Sequence, residues 1–353
     1  MKTLNYDQLA ENSIREVSLD KETALSILSS KDIELLSLIN ATFKVRKEYF
    51  GKTISIHIIN NIQNGYCPED CKYCAQSKNS NAKIDSYPIK SDKEIINEAE
   101  EAYHKGAFRY CMVSSGKSHN AERIEHIAAL IKNIKSSYKI EVCISAGILD
   151  KNKLSILKAA GADRINHNIN TSEALYPSIC TTHKYSDRLN TIQLAKEIGL
   201  QVCSGIIIGM GESPEDIIEM ALTLNKLRVE SIPVNFFIPI EGTRIDNSSL
   251  LDPEYCLRIL CLFRLLNPKA DIRIAAGREL HLRDMETMSF YIANSLFLEG
   301  YLNTAGSKRN KTYQMIKDAG FTLNSDISLN ELLKKESNFI EAHSIEFSKT
   351  VKN

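Results

Sequence analysis

The stretch TISIHIINNIQNGYCPEDCKYC, residues 53–74, decides the fold that we expect of this chain and the chemistry that goes with it. Its first half alternates β-branched residues with others, which is typical of a strand. Its second half places Cys67, Cys71 and Cys74 within eight residues. Iron-sulfur clusters are normally held by four cysteines and structural zinc by four ligands, whereas a catalytic metal keeps one position open. The CxxxCxxC spacing therefore predicts a cube-shaped iron-sulfur cluster with one iron left open to a small chelating molecule.

Seven further strand-like runs follow at intervals of mostly about 25 to 40 residues, and longer amphipathic stretches lie between them. The eight runs are TISIHIIN, FRYCMVSS, IEVCISAG, RINHNI, LQVCSGIIIG, IPVNFFIPI, DIRIAAG and ANSLFLEG. This alternation predicts an α/β fold, a (β/α)8 barrel of the TIM type. Reactive groups lie at the carboxyl ends of the strands in such barrels, so the cysteine loop is expected at the catalytic mouth.

We expect three regions along the chain. Residues 1–48 form a helical extension, because apolar residues at helical spacing over 7–47 predict two helices that plug or buttress one end of the barrel. Residues 49–305 form the barrel. Residues 306–353 form a short C-terminal segment and tail, whose polar, Lys-rich and Ser-rich end predicts a peripheral helix or a partly disordered tail.

Composition and charge exclude several classes of protein. The chain has 353 residues, 43% of them hydrophobic and 25% charged, which is ordinary for a globular protein. Lys plus Arg and Asp plus Glu each number 44, so no global basic field favours nucleic acid and a small substrate is expected. Arg258 and Arg264 interrupt the apolar stretch 257–266 well before it reaches the length of a membrane span, so no membrane association is expected.

The cysteine count argues against a disulfide framework. Nine cysteines are an odd number, and the first thirty residues lack the uninterrupted apolar stretch of a secretory signal. Clustered cysteines outside an oxidising compartment indicate metal or redox chemistry. We therefore expect a cytoplasmic protein.

Three cysteines in the middle of predicted strands, Cys111, Cys143 and Cys203, form a second candidate group, because they can converge inside the barrel. Taken singly, each is equally well explained as a small buried hydrophobic residue. Arg273 in the run DIRIA would be an arginine inside the same core, and a buried charge needs a partner. Three thiolates around a second cluster would supply one. The remaining cysteines, Cys180, Cys256 and Cys261, are expected to serve packing alone.

Two polar patterns indicate a bound organic ligand. In NHNIN, alternation sends Asn166, Asn168 and Asn170 to one face and His167 to the other, where it is expected to be a packed core residue. Amides on an inward face are buried without reason unless they hydrogen-bond a ligand, although a solvated strand end is the alternative. Asn235 stands in an apolar run and is a candidate by the same reasoning.

The strand end GIIIGMGE, residues 205–212, has three glycines before Glu212. Glycines allow a backbone to approach a flat ligand closely, as in other cofactor loops.

Together these segments resemble the biotin synthase family of radical S-adenosylmethionine enzymes, over about residues 20 to 320. The segments that carry the resemblance are NGYCPEDCKYCAQS, RYCMVSSG, IEVCISAG, INHNINTS, TTHKYSDRLNT, VCSGIIIGMGES, SIPVNFFIPIEGT and RIAAGRE. The cysteine triplet marks the superfamily, and the other segments mark the family.

The resemblance implies an enzyme with two clusters. Cys67, Cys71 and Cys74 would hold a 4Fe-4S cluster whose fourth iron is chelated by S-adenosylmethionine. Reductive cleavage of the sulfonium would give a 5′-deoxyadenosyl radical that abstracts hydrogen from dethiobiotin, and sulfur would then be inserted to form biotin. A 2Fe-2S cluster, the expected sulfur source, would lie on a second set of ligands. That set is Cys111, Cys143, Cys203 and Arg273.

The resemblance also implies roles for individual side chains. The cofactor contacts would be Tyr73, Asn168, Asn170, Arg188, Ile207 and Glu212, and the dethiobiotin contacts Asn166, Asn168 and Asn235. Arg109, Ser231 and Ser295 would support Arg273. Asn170 departs from the aspartate of many family members, so its contact with the ribose would be a neutral hydrogen bond, weaker than a charge-assisted one.

The implied partners are dethiobiotin, a reducing electron donor such as flavodoxin or ferredoxin, iron-sulfur assembly proteins and a second copy of the chain. Three alternatives remain open: a related radical S-adenosylmethionine enzyme of the hydrogenase maturase or methylornithine synthase type, a non-catalytic iron-sulfur electron carrier, and a zinc-stabilised binding module. The zinc site of that module would take His57 or His104 as its fourth ligand.

Overall fold

A computed structural model describes residues 4–245 and 250–336. Its strands are β1 (Thr53–Gln63), β2 (Arg109–Ser114), β3 (Glu141–Ser145), β4 (Arg164–Asn166), β5 (Gln201–Cys203), β6 (Ile206–Ile208), β7 (Ser231–Phe236), β8 (Asp271–Ile274), β9 (Ser295–Phe297), β10 (Gly300–Tyr301), β11 (Thr304–Ala305) and β12 (Thr322–Leu323). Each of the eight predicted runs overlaps at least one of these strands. The run LQVCSGIIIG contains both β5 and β6.

Helices lie between and around the strands. They are α1 (Tyr6–Ile14), α2 (Lys21–Ser29), α3 (Leu35–Phe50), α4 (Asp92–His104), α5 (Ala121–Ser137), α6 (Lys151–Ala159), α7 (Tyr176–Ile179), α8 (Tyr185–Glu197), α9 (Pro214–Lys226), α10 (Pro253–Leu266), α11 (Arg278–Leu282), the 3-10 helix Arg283–Tyr291 and α12 (Arg309–Asp318). Residues 329–336 are helical as well.

The strands close into a parallel barrel. β1, β2, β3, β4, β5, β7, β8 and β9 are hydrogen-bonded in this order, and β9 pairs with β1 to complete the circle. All of these pairings are parallel, and β6 continues the β5 position on the same partner, β7. The expected (β/α)8 barrel of the TIM type is confirmed.

Local sequence signals set the position of the helix that follows the glycine-rich strand end. The side chain of Ser213 accepts a hydrogen bond from the Asp216 backbone N–H, and the Asp216 carboxylate accepts one from the Ser213 backbone N–H. Pro214 occupies the first turn of α9, where a missing N–H costs nothing. The turn between β6 and α9 is therefore held at the mouth of the barrel.

The N-terminal region contains three helices, so the expectation of two was wrong. Asp20 accepts a hydrogen bond from the Thr23 N–H and starts α2 as a separate helix between α1 and α3. α2 and α3 pack against α10. Arg46 of α3 donates to the carbonyl oxygens of Ala293 and Thr53 at 3.0 and 2.7 Å. Because Thr53 begins β1, these helices buttress the amino-terminal end of the barrel, as the sequence predicted.

The segment after the barrel packs against the amino-terminal end of β1. β12 pairs in parallel with β1, and the Tyr313 hydroxyl of α12 donates to the Lys105 carbonyl at 2.8 Å. The expected tail beyond residue 336 lies outside the described residues, and the division into regions 1–48, 49–305 and 306–353 remains a prediction. Within the described ranges, no helix is both long and apolar enough to cross a lipid bilayer.

Candidate active site

A cavity of about 280 Å³ opens at the carboxyl ends of the barrel strands. The loop after β1, the segment after β4 and residues of β6 and β7 contribute to its wall. The predicted site residues that line it are Cys67, Cys71, Tyr73, Cys74, Asn166, Asn168, Asn170, Arg188, Ile207 and Asn235. The barrel thus brings distant parts of the sequence into one concave site.

Two acidic residues inside the cysteine loop fasten it to the chain after α7. Asp70 Oδ1 accepts the backbone N–H groups of Thr181 and Thr182 at 2.9 and 3.2 Å. Glu69 Oε2 accepts the Thr182 hydroxyl at 2.7 Å and bonds to His183 Nδ1. Burial opposes ionisation of Asp70, but its hydrogen-bond donors hold its pKa below the usual range. A charged carboxylate therefore anchors the loop.

The three thiols of the loop suit a cluster better than a single ion. Burial raises the pKa of Cys67, and it raises the pKa of Cys74 to about 11, so metal binding must displace these protons. Among the described residues, the one group of possible ligands within 4.8 Å of one another contains Cys71 but neither Cys67 nor Cys74. A cube cluster attaches each thiolate to a different iron, and the wider spacing of the triplet fits that arrangement.

Arg188 provides a fixed positive charge beside the triplet. Its Nη1 donates to the carbonyl oxygen of Asn168 at 2.9 Å, and its Nε donates to the Tyr176 hydroxyl. Burial opposes the charge, but Tyr73 and Tyr176 raise the pKa of Arg188 above its ordinary value. The guanidinium is thus a cation in a half-enclosed cavity, which is the group that a carboxylate ligand requires.

Tyr73 and Asn170 lie side by side in the cavity wall and are hydrogen-bonded to each other. The Asn170 Nδ2 donates to the Tyr73 hydroxyl at 2.7 Å. Asn170 has a φ of +67°, a left-handed conformation that asparagine adopts more readily than most residues. Its backbone carbonyl accepts the Ile207 N–H at 2.8 Å and so ties the segment after β4 to β6.

The other asparagines form a chain of hydrogen bonds. Asn168 Oδ1 accepts the Gly205 N–H at 2.8 Å and the Asn166 Nδ2 at 3.1 Å. A Cβ atom at Gly205 would lie 2.5 Å from the carbonyl oxygen of Pro233, so only glycine fits between the strands here. With its oxygen engaged, Asn168 offers its amide hydrogens to the cavity.

His167 is buried, as expected of a packed core residue, and it also contributes to the cavity wall. Strand β4 ends at Asn166, and the strict alternation of side chains ends with it. His167 Nε2 is buried and has no hydrogen-bond partner among the described residues. Burial, together with Arg188 and His183, lowers the pKa of His167 well below its usual value, so the ring is neutral.

One predicted contact residue, Asn235, is engaged with the backbone. Asn235 Nδ2 donates to the Ile206 carbonyl at 2.8 Å, and its Oδ1 accepts the Ala276 N–H at 3.2 Å. Asn235 therefore braces the barrel mouth while it lines the cavity.

Glu212 does not line the cavity. Its carboxylate accepts the N–H groups of Gly209 and Met210 at 2.6 and 2.9 Å, which fixes the turn after β6. Glu212, predicted to contact the cofactor, therefore lies in the turn behind the cavity wall and does not face the cavity.

The second set of predicted ligands converges deeper in the barrel. Cys111, Cys143, Cys203 and Arg273 are buried and line a small adjoining cavity. Cys111 and Cys143 are register partners on β2 and β3, and Arg273 Nη1 lies 3.4 Å from Cys203 Sγ. Asn166 lines both cavities, and its Nδ2 lies 3.4 Å from the same sulfur. A ligand in the outer cavity can therefore lie next to the inner thiols.

Asp271 is a residue that the sequence reasoning missed. Its Oδ2 accepts Arg273 Nη2 at 3.0 Å and the Ser231 hydroxyl at 3.2 Å, and its Oδ1 accepts the Ser295 hydroxyl at 2.5 Å. Burial opposes ionisation, but the neighbouring arginines lower the pKa of Asp271 to about 2. The sequence could have predicted this pair, because residues 271 and 273 point to the same face of a strand and a buried arginine needs a counter-charge.

Arg109 was expected to support Arg273, and the structure shows an indirect contact. Arg109 is bonded to Glu141, and its Nη1 lies 3.9 Å from Asp271 Oδ2. Ser231, by contrast, accepts Arg273 Nη2 directly at 2.9 Å. These residues meet at Asp271, which organises the layer below the inner cavity.

Cys180 was expected to serve packing alone, and the structure corrects this. Its sulfur lies 3.6 Å from Cys71 Sγ and 3.2 Å from His183 Nδ1. The hydrogen bond with Cys71 lowers the pKa of Cys180 to about 4 and raises that of Cys71. The other two cysteines without an expected role, Cys256 and Cys261, are buried in α10.

The histidines proposed for a zinc-stabilised module lie elsewhere. His57 is buried in β1 with its Nδ1 3.3 Å from Arg109 Nη1, and His104 ends α4 with an exposed side chain. Within the part of the chain that is described, neither belongs to a group of metal-ligating side chains. A zinc site that joins either histidine to the triplet is therefore not formed.

Comparison with known proteins defines the class. The sequence matches the Radical SAM superfamily over residues 62–224 and the Biotin and Thiamin Synthesis associated domain over residues 233–322. The barrel with its cysteine loop is therefore that of a radical S-adenosylmethionine enzyme, a class that implies a 4Fe-4S cluster and S-adenosylmethionine as cofactors. The chain belongs to the biotin synthase family.

Two curated relatives show the membership. The biotin synthase of Magnetococcus marinus is 56% identical over 313 residues, which cover 89% of this chain and 98% of the relative. The biotin synthase of Acaryochloris marina is 52% identical over 324 residues, which cover 92% of this chain and 94% of the relative.

Solved structures share the fold. A methylornithine synthase superposes with a TM-score of 0.74 at 22% identity, covering 89% of this chain and 96% of the other. An FeFe-hydrogenase maturase from Carboxydothermus hydrogenoformans gives a TM-score of 0.76 at 18% identity, covering 93% and 81%. At such identities the likeness shows the barrel alone, and the closer sequence relatives favour the biotin synthase family over these two rivals.

Proposed function

We propose that the protein converts dethiobiotin to biotin by radical S-adenosylmethionine-dependent sulfur insertion. The observation that carries the proposal is the adjacency of two thiol sets in one barrel, with Asn166 lining both cavities. An electron carrier needs neither the second thiol set nor the asparagine-lined wall.

The outer thiols would hold the cleaving cluster. Cys67, Cys71 and Cys74 supply three thiolates, and the free corner is left for the cofactor. When bound, the cluster supplies the electron that splits the sulfonium of S-adenosylmethionine. The anchored carboxylate of Asp70 holds the loop in place, so the three thiolates are oriented before the cluster arrives.

Four side chains would position the cofactor. Arg188 would bind its carboxylate, because the guanidinium is charged and held by Tyr176 and the Asn168 carbonyl. Tyr73 and Asn170 would meet the ribose and adenine. Ile207 would supply an apolar contact, and Glu212 would act through the turn that it fixes.

Neutral amides would hold dethiobiotin. Its ureido ring carries both donors and acceptors and no charge, which matches the side chains of Asn166, Asn168 and Asn235. Burial of such polar groups is costly unless a ligand satisfies them.

The inner set would hold the 2Fe-2S cluster that provides sulfur. Cys111, Cys143 and Cys203 supply thiolates, and Arg273 completes the set. Burial would lower the pKa of Arg273, but Cys203 and Asp271 raise it above its ordinary value. Arg273 would have to lose a proton to bind iron, and its raised pKa opposes this loss. The iron would therefore be weakly held, which suits a cluster that gives up sulfur during turnover.

The test separates the two thiol sets. After anaerobic reconstitution with iron and sulfide, Cys71→Ala should lose 5′-deoxyadenosine production and keep the inner cluster's visible absorption. Cys143→Ala should keep cofactor cleavage and lose biotin formation. Cys256→Ala, a buried cysteine in α10, is the matched control and should retain both. Loss of both spectra in either variant with an intact fold, or unchanged biotin formation in Cys143→Ala, would refute the assignment.

The remaining expectations extend this proposal. A low-potential donor such as flavodoxin or ferredoxin would reduce the outer cluster, and iron-sulfur assembly proteins would build both. We also propose a homodimer in the cytoplasm.

A further inference from the structure

Three buried side chains form a group of metal ligands beside the outer cluster site. Cys71, Cys180 and His183 offer two sulfurs and one imidazole nitrogen within 4.8 Å of one another. Cys180 and His183 come from the segment between α7 and α8, and neither has a role in the proposed reaction. The set of two thiolates and one imidazole is one that zinc prefers.

The distances match tetrahedral coordination. With Zn–S of about 2.3 Å and Zn–N of about 2.05 Å, two sulfurs on one zinc lie about 3.8 Å apart, and a sulfur and a nitrogen about 3.6 Å apart. In the structure Cys71 Sγ and Cys180 Sγ are 3.6 Å apart, and Cys180 Sγ is 3.8 Å from His183 Nε2. Cys71 Sγ and the His183 nitrogen lie within 4.8 Å of each other, so adjustments of these side chains would close the site around an ion.

The surroundings complete the ligand set. His183 Nδ1 is bonded to the Glu69 carboxylate, so Nε2 is the nitrogen left for a metal. Metal-binding histidines commonly donate their second N–H to a carboxylate in this way. Arg188 Nη2 lies 2.8 Å from Nε2 and would have to move away for a metal to bind there. Because the guanidinium is planar and rigid, this movement would also change its bonds to Tyr176 and the Asn168 carbonyl.

We propose that the cluster-free protein binds one zinc ion, or a divalent ion of similar chemistry, through Cys71, Cys180 and His183. Both sulfurs bind as thiolates, which releases the proton of the Cys71 thiol, and a water molecule completes the tetrahedron. Because Cys71 cannot serve zinc and a cluster iron together, the zinc form excludes the outer cluster. The inner thiols share no ligand with this site, so they remain able to take iron.

Cobalt tests the site directly, because Co²⁺ takes zinc's place and its thiolate complexes absorb visible and near-ultraviolet light. The full chain, stripped of iron anaerobically with chelator and thiol reductant, should bind one equivalent of Co²⁺ with thiolate-to-cobalt bands, and Zn²⁺ should displace it. Cys180→Ser and His183→Ala should weaken binding by at least about tenfold, since loss of even an outer partner of a ligand typically costs that much.

The matched controls are the other two cysteines of the triplet. Cys67→Ser and Cys74→Ser should bind Co²⁺ as the unchanged chain does, with circular dichroism confirming the fold of every variant. If either control loses cobalt as completely as Cys180→Ser does, the ion sits on the triplet and the proposal is wrong. Cobalt binding without thiolate bands would overturn it as well.

Competition with the cluster is measured separately and depends on the proposed function. Protein loaded with zinc should fail to gain the outer cluster's absorption during reconstitution, whereas Cys180→Ser treated with zinc should gain it. If cobalt binds as expected but zinc does not block the cluster, the exclusion is wrong, and so is the assignment of Cys71 to the cluster. If cobalt does not bind while reconstituted protein forms biotin, the zinc site fails and the proposed function stands.

Discussion

Arg273 donates a hydrogen bond from Nη2 to Asp271 Oδ2 at 3.0 Å, and the two residues lie two positions apart on the same barrel strand. Arg164 and Arg109 approach the same oxygen at 3.6 and 3.9 Å. One carboxylate therefore faces three buried cations. Asp271 holds Arg273 against the inner thiols and compensates the charge of the layer beneath them.

Replacement of Asp271 by Asn should destabilise the protein strongly. The change leaves three arginines without their shared counter-charge, and breaking a buried ion pair from one side typically costs about 3–5 kcal/mol. Chemical denaturation of the cluster-free chain measures the effect. Asp92→Asn, which breaks an exposed pair with His126, is the control and should cost less than about 1 kcal/mol. An equal loss of unfolding free energy in the two variants would show that Asp271 does not stabilise the buried arginines.

Acid should remove the stabilisation that the Asp271 carboxylate provides. The arginines lower the pKa of Asp271 from 3.8 to about 2, so the native carboxyl binds its proton less readily than the unfolded one. The stabilisation of about 2 kcal/mol is present above pH ~4 and is lost as the pH falls through ~2. The difference in unfolding free energy between the unchanged chain and Asp271→Asn should therefore shrink between pH 5 and pH 2.5. A difference that stays constant would contradict the shift.

Much of the fold follows from local sequence. Each barrel strand contains apolar residues and lies in a run between amphipathic stretches, and burial of both faces explains these apolar residues. The N-terminal helices were harder, because one apolar stripe was read across α2 and α3. Leu36 has the helical spacing of its apolar neighbours, but its side chain is 71% exposed. Helix ends depend on caps such as Asp20, and a hydrophobic period alone does not reveal them.

The active site also contains contacts that local sequence patterns do not predict. The cysteine triplet is visible because its members lie within one loop. Cys180 reaches Cys71 across 109 positions of sequence, and no periodicity connects them. Contacts between loops depend on how the barrel closes, which only the three-dimensional arrangement supplies.

Asn170→Asp should tighten the binding of S-adenosylmethionine. If residue 170 meets the ribose, a carboxylate replaces a neutral acceptor, and the gain of about 1 kcal/mol corresponds to roughly fivefold in Kd. The Tyr73 hydroxyl can donate to the new carboxylate in place of accepting from Asn170 Nδ2. Tyr73→Phe, made in both backgrounds, separates this internal bond from the ligand contact. An unchanged Kd by equilibrium dialysis would remove residue 170 from the cofactor site.

Asp70→Ala should loosen the cysteine loop and shorten the lifetime of the outer cluster. The substitution leaves the part-buried N–H groups of Thr181 and Thr182 without their acceptor, at a cost of about 1–2 kcal/mol. The reconstituted variant should lose the outer cluster's absorption to a chelator faster than the unchanged chain, while the inner cluster decays at its usual rate. Asp85→Ala removes an exposed carboxylate from the same loop region and is the matched control. Because the anchor holds only the outer thiols, equal acceleration of both decays would mean that Asp70 supports the barrel as a whole rather than the loop.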